Sequence, residues 1–415
     1  MKVCILTTSF PLRRGDLSGL FIFDQGRYLI RHGIEVVVIA PHHAGVPKRE
    51  SVEGMVVRRV RYFLPAALQK LCYGSGIPHN LKHGFLPKIQ LPFLLCSFLL
   101  QTMRYAGNCD VIHAHWSLAG LAGLVASRMS GKPIVLTMHH GSTGPLTKIE
   151  KFLLEQVDSL LCNSRFTLAH VLKTARPKKT KVIPPGVDIH IFQPKPENGK
   201  KDLLLRNLPK DCLLVLTIGR LIELKGHRYL LEAFRHLPED MHAHLLVGGD
   251  GPLRKTLENQ VWQSGLSNRV TLIGQVPNDL IPLYCSLADI YVQPSIIDQE
   301  GNTEGLGVTL LEAMACETPC IGARTGGIPD IIQDGRNGYL VEPGSSPQLA
   351  EKISLLLKDG DLRVRMGTEG RRFVEENYSW DAKAKELVEI YAGLISPEGP
   401  GRRPSAERNG PNDPG

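Results

Sequence analysis

Short apolar runs alternate with helix-length segments from the start of this chain, and the alternation begins again near Leu213. KVCILTT reads as a strand, Leu20 to His32 as a helix closed by Gly33, and EVVVIA as the next strand. MVVRRV, DVIHAH, PIVLTMHH, SLLCNS and KVIPPG follow as short apolar runs, several of them separated by helical segments. From Leu213 the series is LLVLTIG, a helix from Gly226 to Leu237, then HAHLLVGG, RVTLIG, DIYVQPS and TPCIGA. This rhythm predicts parallel sheets with helices on both faces. At 415 residues the chain exceeds one ordinary core, so two successive doubly wound domains are expected. The expected division is 1–192 and 193–379, linked by a polar stretch between about Ile191 and Asp211 with QPKPENGKKD at its centre. A last helix, Trp380 to Leu394, follows the cap signal NYSWD, and the Pro/Gly/Arg-rich tail 396–415 is expected to be disordered.

Charge is unevenly spread over the two halves. Residues 1–192 hold 24 Lys and Arg against 10 Asp and Glu, a net +14, while the remainder holds 25 against 31, a net −6. Two readings stand side by side: a solvated basic face, or a face that meets anionic lipid head groups or a phosphate-bearing acceptor. Nucleic acid is disfavoured, because no aromatic-studded basic strand or recognition helix is present. Residues 62–105 mix basic residues, prolines and an apolar run from Leu91 to Met103, too short to span a bilayer. That run reads as a buried core helix, or else as an interfacial segment that rests on a membrane or cups an apolar acceptor tail. Nine scattered cysteines without metal spacing read as reduced thiols, and no secretory signal precedes KVCILTT. A cytoplasmic protein is expected, peripheral on the inner face of the cell membrane if the basic half meets lipid.

Chemistry concentrates in TEGLGVTLLEAMACETPCIG. Glu304 and Glu312 stand on either side of a Gly-Leu-Gly turn, and the apolar spacing of Val308, Leu311 and Ala315 is helical. Glu304 should lie in the loop and Glu312 about one turn inside the helix. Between them come the unpaired N–H groups of a positive helix end, a seat for phosphate. A ligand carrying hydroxyls on both sides of a diphosphate fits such a place, and a nucleotide-sugar is one. LTIGRLIELKG adds Arg220 and Lys225 at a strand's C-terminal end, where open α/β sheets bind ligands. Arg supplies a fork for phosphate oxygens and Lys a point charge. LLVGGDGPL is no dinucleotide fingerprint. In the first half, Gly19 before a helix reads equally as an anion approach or a turn glycine. His113, His115, His139 and His140 invite a metal reading, but no carboxylate completes a helical metal motif. A strand-terminal histidine holding a substrate hydroxyl is the better candidate.

Together these residues resemble family 4 of the retaining glycosyltransferases, over nearly the whole chain to about Leu394. The acid pair with its TEGLGVTLLEAMACETPCIGARTGGIPDII surroundings carries the resemblance; the GR…KG segment, GGDGP, ADIYVQPS and DGRNGYLVEPG fit in order. The resemblance implies the GT-B fold, two Rossmann-like domains facing across a cleft, with the last helix packing back on the first. It implies Arg220 and Lys225 as the diphosphate clamp, helped by the backbone near Leu306, Gly307, Val308 and Thr309. Glu312 would take the ribose hydroxyls, Glu304 the transferred sugar, and His139 the sugar near the reacting carbon. Gly19 would lie near the phosphate, and the loop at Val276 would bind the base. The implied activity is metal-free transfer of a hexose, with retention, from a nucleoside-diphosphate sugar to a polysaccharide or lipid-linked glycan. A sugar phosphorylase, a soluble-sugar synthase and a non-catalytic nucleotide-sugar binder are the alternatives. One departure from the family pattern is the extra acids Asp298 and Glu300 before Glu304, which would shape sugar choice or merely solvate a loop.

Overall fold

The computed structural model describes residues 1–13, 15–16, 18–74, 76–139, 143–194 and 212–396. His140, most of the expected link and nearly all of the expected tail lie outside the described residues.

The chain builds two sheets. In the first part the elements are β1 (Lys2–Leu6), α1 (Leu20–Arg31), β2 (Glu35–Pro41), β3 (Arg49–Val52), β4 (Met55–Val60), α2 (Ile77–His83), α3 (Phe85–Ala106), β5 (Val111–His115), α4 (Trp116–Ser130), β6 (Ile134–Met138), α5 (Lys148–Gln156), β7 (Ser159–Cys162), α6 (Arg165–Leu172) and β8 (Thr180–Val182). Their sheet order is β3-β4-β2-β1-β5-β6-β7-β8, parallel except for the antiparallel β3–β4 pair. The second part gives β9 (Leu213–Ile218), α7 (His227–His236), β10 (Ala243–Gly248), α8 (Arg254–Gln263), β11 (Val270–Gly274), α9 (Ile281–Leu287), β12 (Ile290–Gln293), α10 (Val308–Ala315), β13 (Cys320–Ala323), α11 (Ile328–Ile331), β14 (Gly338–Val341), α12 (Ser346–Lys358) and α13 (Gly360–Asn377). Here the order is β11-β10-β9-β12-β13-β14, all parallel. Both sheets reverse direction of winding once, between β1 and β5 and between β9 and β12. Such switch points leave a crevice outside the strands' C-terminal ends.

Alternation along each strand fills both sides of the sheet. On β1, Val3 and Ile5 enter a core shared with α1, whereas Cys4 and Leu6 enter the core under α3 and α4. The first of those cores is completed by α14 (Trp380–Ile395), which buries Trp380, Leu387, Tyr391 and Leu394 there. Burial of such side chains stabilises by about 1.5–3 kcal/mol each, enough to bring the chain's last helix back onto the first sheet. Ser379 starts it as the N-cap, accepting from the Ala382 N–H.

Three elements differ from the sequence reading. RESV (β3) is polar and gives no apolar signal, yet it pairs with β4 as a hairpin. GYLV in DGRNGYLVEPG is the edge strand β14. The apolar run Leu91–Met103 is only part of α3, whose 22 residues are long and apolar enough to cross a membrane. The helix begins at Phe85, ahead of the run. Pro87 lies in the first turn, where no N–H partner is lost, and the helix continues through Pro92. One stripe of α3 (Gln90, Leu94, Phe98, Thr102 and Ala106) is nonetheless buried in the domain.

The docking of α14 is tied by one buried polar network. His113 Nδ1 meets the Tyr391 hydroxyl at 2.6 Å and the Gln25 amide at 3.3 Å, and His113 Nε2 meets Thr137 Oγ1 at 2.7 Å. With two donors on Nδ1, the network assigns the proton to Nε2, which donates to Thr137. Tyr391→Phe should therefore lower the stability of the first domain by about 1 kcal/mol, read as a lower denaturant midpoint. An unchanged midpoint would show that the hydroxyl contributes nothing to docking.

Candidate functional site

Glu304 lies between β12 and α10, at the switch point of the second sheet. Its Oε2 accepts from Lys225 Nζ at 2.5 Å, from Gln293 Nε2 at 2.6 Å and from Ser295 Oγ at 3.3 Å. Burial alone would raise its pKa; the Lys225 charge and the three donors overcome this and hold the carboxyl below its ordinary value. Lys225 arrives there for a backbone reason. The Ile296 N–H donates to the Leu224 carbonyl at 2.8 Å, zipping the loop after β9 to the end of β12. That approach leaves no room for a side chain at the next residue: a Cβ on Gly226, whose φ is +66°, would strike the Pro294 carbonyl. On the other side, the Gly327 N–H donates to the Glu304 carbonyl at 3.1 Å, so the TGG turn after β13 braces the loop. The sequence reading assigned Lys225 and Glu304 to different parts of a ligand, and the structure pairs them with each other. An ammonium has three donors, so the pair leaves Lys225 two for other acceptors.

Arg220 follows Gly219 at the end of β9; it is exposed and forms no ion pair among the described residues. Gly307 is the N-cap of α10, and Val308 and Thr309 open its first turn, where N–H groups have no intrahelical acceptor. Leu306 is buried in the core below. Glu312 lies one turn into α10 and makes no side-chain hydrogen bond or ion pair among the described residues. Burial, and then the Asp24 carboxylate of α1 reaching across from the first domain, push its pKa up to about 7. Asp24 is itself raised to about 6, chiefly by burial, against the opposing pull of Arg27 at 3.0 Å. Val276 is buried in the core of the second domain.

On the first sheet, His139 directly follows β6. Its Nε2 lies 3.0 Å from His115 Nδ1, and its ring packs on Phe21 and Trp116 with centroids 4.7 Å and 5.1 Å away. Burial lowers its pKa to about 3, so the ring is neutral through the physiological range and acts as a hydrogen-bonding group. Gly19 caps α1 with φ +70°, and a Cβ there would enter the Ser9 carbonyl of its own loop. The turn accounts for the glycine. Among the described residues no group of three or more His, Cys, Asp or Glu side chains is placed to hold a metal ion.

The C-terminal ends of the two sheets meet. Thr143 N–H donates to the Gly301 carbonyl at 2.8 Å, Arg165 N–H to Asp330 at 2.5 Å, and Lys82 pairs with Glu300 at 2.8 Å. The extra acids thus have definite places: Asp298 folds its own turn by accepting from the N–H groups of Glu300 and Asn302 at 3.0 and 2.8 Å, and Glu300 bridges to the first domain. Gln293 and Ser295, the donors on Glu304, were not singled out from the sequence; polar residues closing an apolar strand at a switch point were the available signal.

The description Glycosyl transferases group 1 matches residues 206–373, and Glycosyltransferase Family 4 matches residues 19–191. The chain belongs to this glycosyltransferase family, and its two facing Rossmann-like sheets are the GT-B fold. It is 29% identical over 409 residues to a D-inositol 3-phosphate glycosyltransferase of Xylanimonas cellulosilytica, covering 91% of this chain and 92% of the relative. It is 29% identical over 403 residues to a GDP-mannose-dependent alpha-(1-6)-phosphatidylinositol monomannoside mannosyltransferase of Mycobacterium tuberculosis, covering 94% and 98%. Among solved structures it resembles in fold a sucrose-phosphate synthase from Thermosynechococcus elongatus, with a TM-score of 0.78, 22% identity and coverage of 95% and 99%. It likewise resembles Anabaena HepE in complex with UDP and glucose, with a TM-score of 0.72, 21% identity and coverage of 95% and 100%.

Because the folded pKa of Glu312 lies above its ordinary value, the folded state holds the extra proton between pH 4.5 and about 7. Its contribution to stability is complete below that window and is lost as pH rises through it. Glu312→Gln should flatten the fall in thermal midpoint across this range and raise the midpoint above it by several degrees, of order 1–2 kcal/mol. A Gln variant with the wild-type profile would place the titration elsewhere.

Proposed function

We propose that this glycosyltransferase moves a hexose from a nucleoside-diphosphate sugar to a glycan or lipid-linked acceptor, with retention of anomeric configuration and without a metal ion. The observation that carries the reading is the Lys225–Glu304 pair at the β9/β12 switch point, with Glu312 in the helix that follows and without a side-chain hydrogen bond among the described residues. A diphosphate laid across the start of α10 would meet the Val308 and Thr309 N–H groups, the free donors of Lys225 and the exposed fork of Arg220. Glu312 would accept from the ribose hydroxyls, an interaction that favours its charged form and so offsets its raised pKa. Backbone around Val276 would border the base. Glu304, fixed by Gln293 and Ser295, would accept from a hydroxyl of the sugar, and neutral His139 would hold another from the opposite domain. The name of the mycobacterial relative, a GDP-mannose-dependent phosphatidylinositol monomannoside mannosyltransferase, supports a nucleotide-sugar donor and a lipid-linked or glycan acceptor.

In the chemical step the anomeric C–O bond to the diphosphate breaks as negative charge grows on the leaving oxygen. Arg220, Lys225 and the helix end would stabilise that charge, the role a metal ion takes elsewhere. The acceptor hydroxyl would attack from the face the leaving group vacates, passing its proton to a departing phosphate oxygen. Burial lowers the His139 pKa to about 3, so this side chain would serve as a neutral hydrogen-bonding group. Contacts between the two sheets' loops would keep water from the donor. The nine free cysteines, most of them buried, fit a reducing cytoplasmic setting.

The decisive variant is Arg220→Ala, because its side chain is exposed and forms no ion pair among the described residues. With a panel of nucleoside-diphosphate sugars, its kcat/KM should fall by the equivalent of about 2–4 kcal/mol at unchanged thermal midpoint. No release of nucleoside diphosphate from any donor by the wild type, and no nucleotide binding, would overturn the reading. Excess chelator should leave the rate unchanged; loss of activity restored by a divalent ion would refute the metal-free step. The product's anomeric proton coupling should match the donor's, and an inverted product would refute retention.

A further inference from the structure

The side of α3 that faces away from the domain carries Phe85, Ile89, Phe93, Cys96 and Leu100, at helical spacing on one stripe opposite the buried one. Phe85 is 79% exposed, Phe93 52% and Leu100 73%. The stripe extends sideways onto the preceding loop. The Phe63 and Phe93 rings meet edge to face at 6.0 Å, and Leu64 beside them is 71% exposed. A helix of a water-exposed domain ordinarily turns polar residues outward. Here cations flank the face: Arg61, Lys70, Lys88 and Arg104 are exposed and form no ion pair among the described residues. No Asp or Glu occurs between Glu53 and Asp110.

We propose that this face of α3, with the loop 61–70, rests on the surface of an anionic lipid bilayer. The apolar stripe would sink to the acyl boundary while the four cations meet head-group phosphates. The arrangement fits lying on the membrane rather than crossing it. Leu94, Phe98 and Ala106 on the other side of α3 belong to the core, and Gln90 is bonded to the Lys70 N–H at 3.1 Å and to the Leu68 carbonyl. Crossing the bilayer would tear that stripe out of the domain. Charge selects this occupant over an apolar protein partner, since four exposed cations in a stretch without Asp or Glu match an anionic sheet. Beside the same edge opens a cavity of about 600 Å³, lined among others by Lys70, His79, His83 and Phe85, so bilayer contact would bring head groups to it.

The test is sedimentation of the full chain with vesicles of phosphatidylcholine alone or mixed with phosphatidylglycerol, with no donor present, so that its outcome is independent of the donor reading. Expected is partition onto the mixed vesicles only, weakened by salt. The double variants Phe85→Asp/Leu100→Asp and Lys88→Glu/Arg104→Glu should each reduce partition by about tenfold or more, with unchanged thermal midpoints. All four positions are exposed, so folding should survive. Equal partition onto neutral vesicles, no partition at all, or wild-type partition by either variant would overturn the proposal. So would light scattering that shows a dimer in the wild type and a monomer in Phe85→Asp/Leu100→Asp, because a second copy would then cover the face.

Discussion

A carboxylate withdrawn from water must be surrounded by donors, and Glu304 imposes that condition on the second domain. Desolvation of one charge costs several kcal/mol unless it is paired and hydrogen-bonded. Here Lys225 comes from the loop after β9, and Gln293 and Ser295 come from the end of β12. Those two strands are neighbours only because the winding reverses between them. The switch point is therefore both the cleft and the means by which the acid's partners converge. Three polar side chains satisfy the acid on one oxygen, and the cation retains donors for a ligand.

Glu312 shows the opposite solution at the same site. It is nearly as enclosed but has no hydrogen-bonding partner among the described residues, and the Asp24 carboxylate across the cleft adds like charge. The two acids of one short motif thus sit in contrasting states, one depressed and one raised. A site whose acids differ in this way is asymmetric along its length: one end is already satisfied and oriented, the other is unsatisfied until hydroxyl donors reach it. That asymmetry is in keeping with the proposal above, in which ribose hydroxyls would meet Glu312 and the sugar would meet Glu304.

Much of this was legible in the residues, and the reasons for the gaps are physical. Period and apolar content mark the parallel strands because they are buried on both faces. The hairpin strand RESV is an edge element and needs no such content. The acid spacing and the Gly-Leu-Gly turn locate the helix end, since only a turn there places one acid outside and one inside the helix. Nothing in local sequence could show Asp24 acting on Glu312, or Glu300 reaching Lys82, because those pairs exist only once the two sheets face each other. Helix α3 is longer than its apolar run because it starts at Phe85, with Pro87 in its first turn and Pro92 on the open face.

The return of α14 links these parts. Tyr391 holds His113 on β5; His113 stacks at 4.5 Å on His115, and His115 is hydrogen-bonded to His139 at the cleft. Each ring in this row is buried and kept neutral. A row of neutral, mutually packed rings has little freedom to reorient, so the position of His139 is set from behind by a helix that follows the second domain in sequence. The histidine facing the cleft in the first domain is therefore supported by the far end of the chain. On this geometry, loosening α14 would disturb His139 before it disturbed Glu304, whose side-chain partners Lys225, Gln293 and Ser295 all come from the second domain.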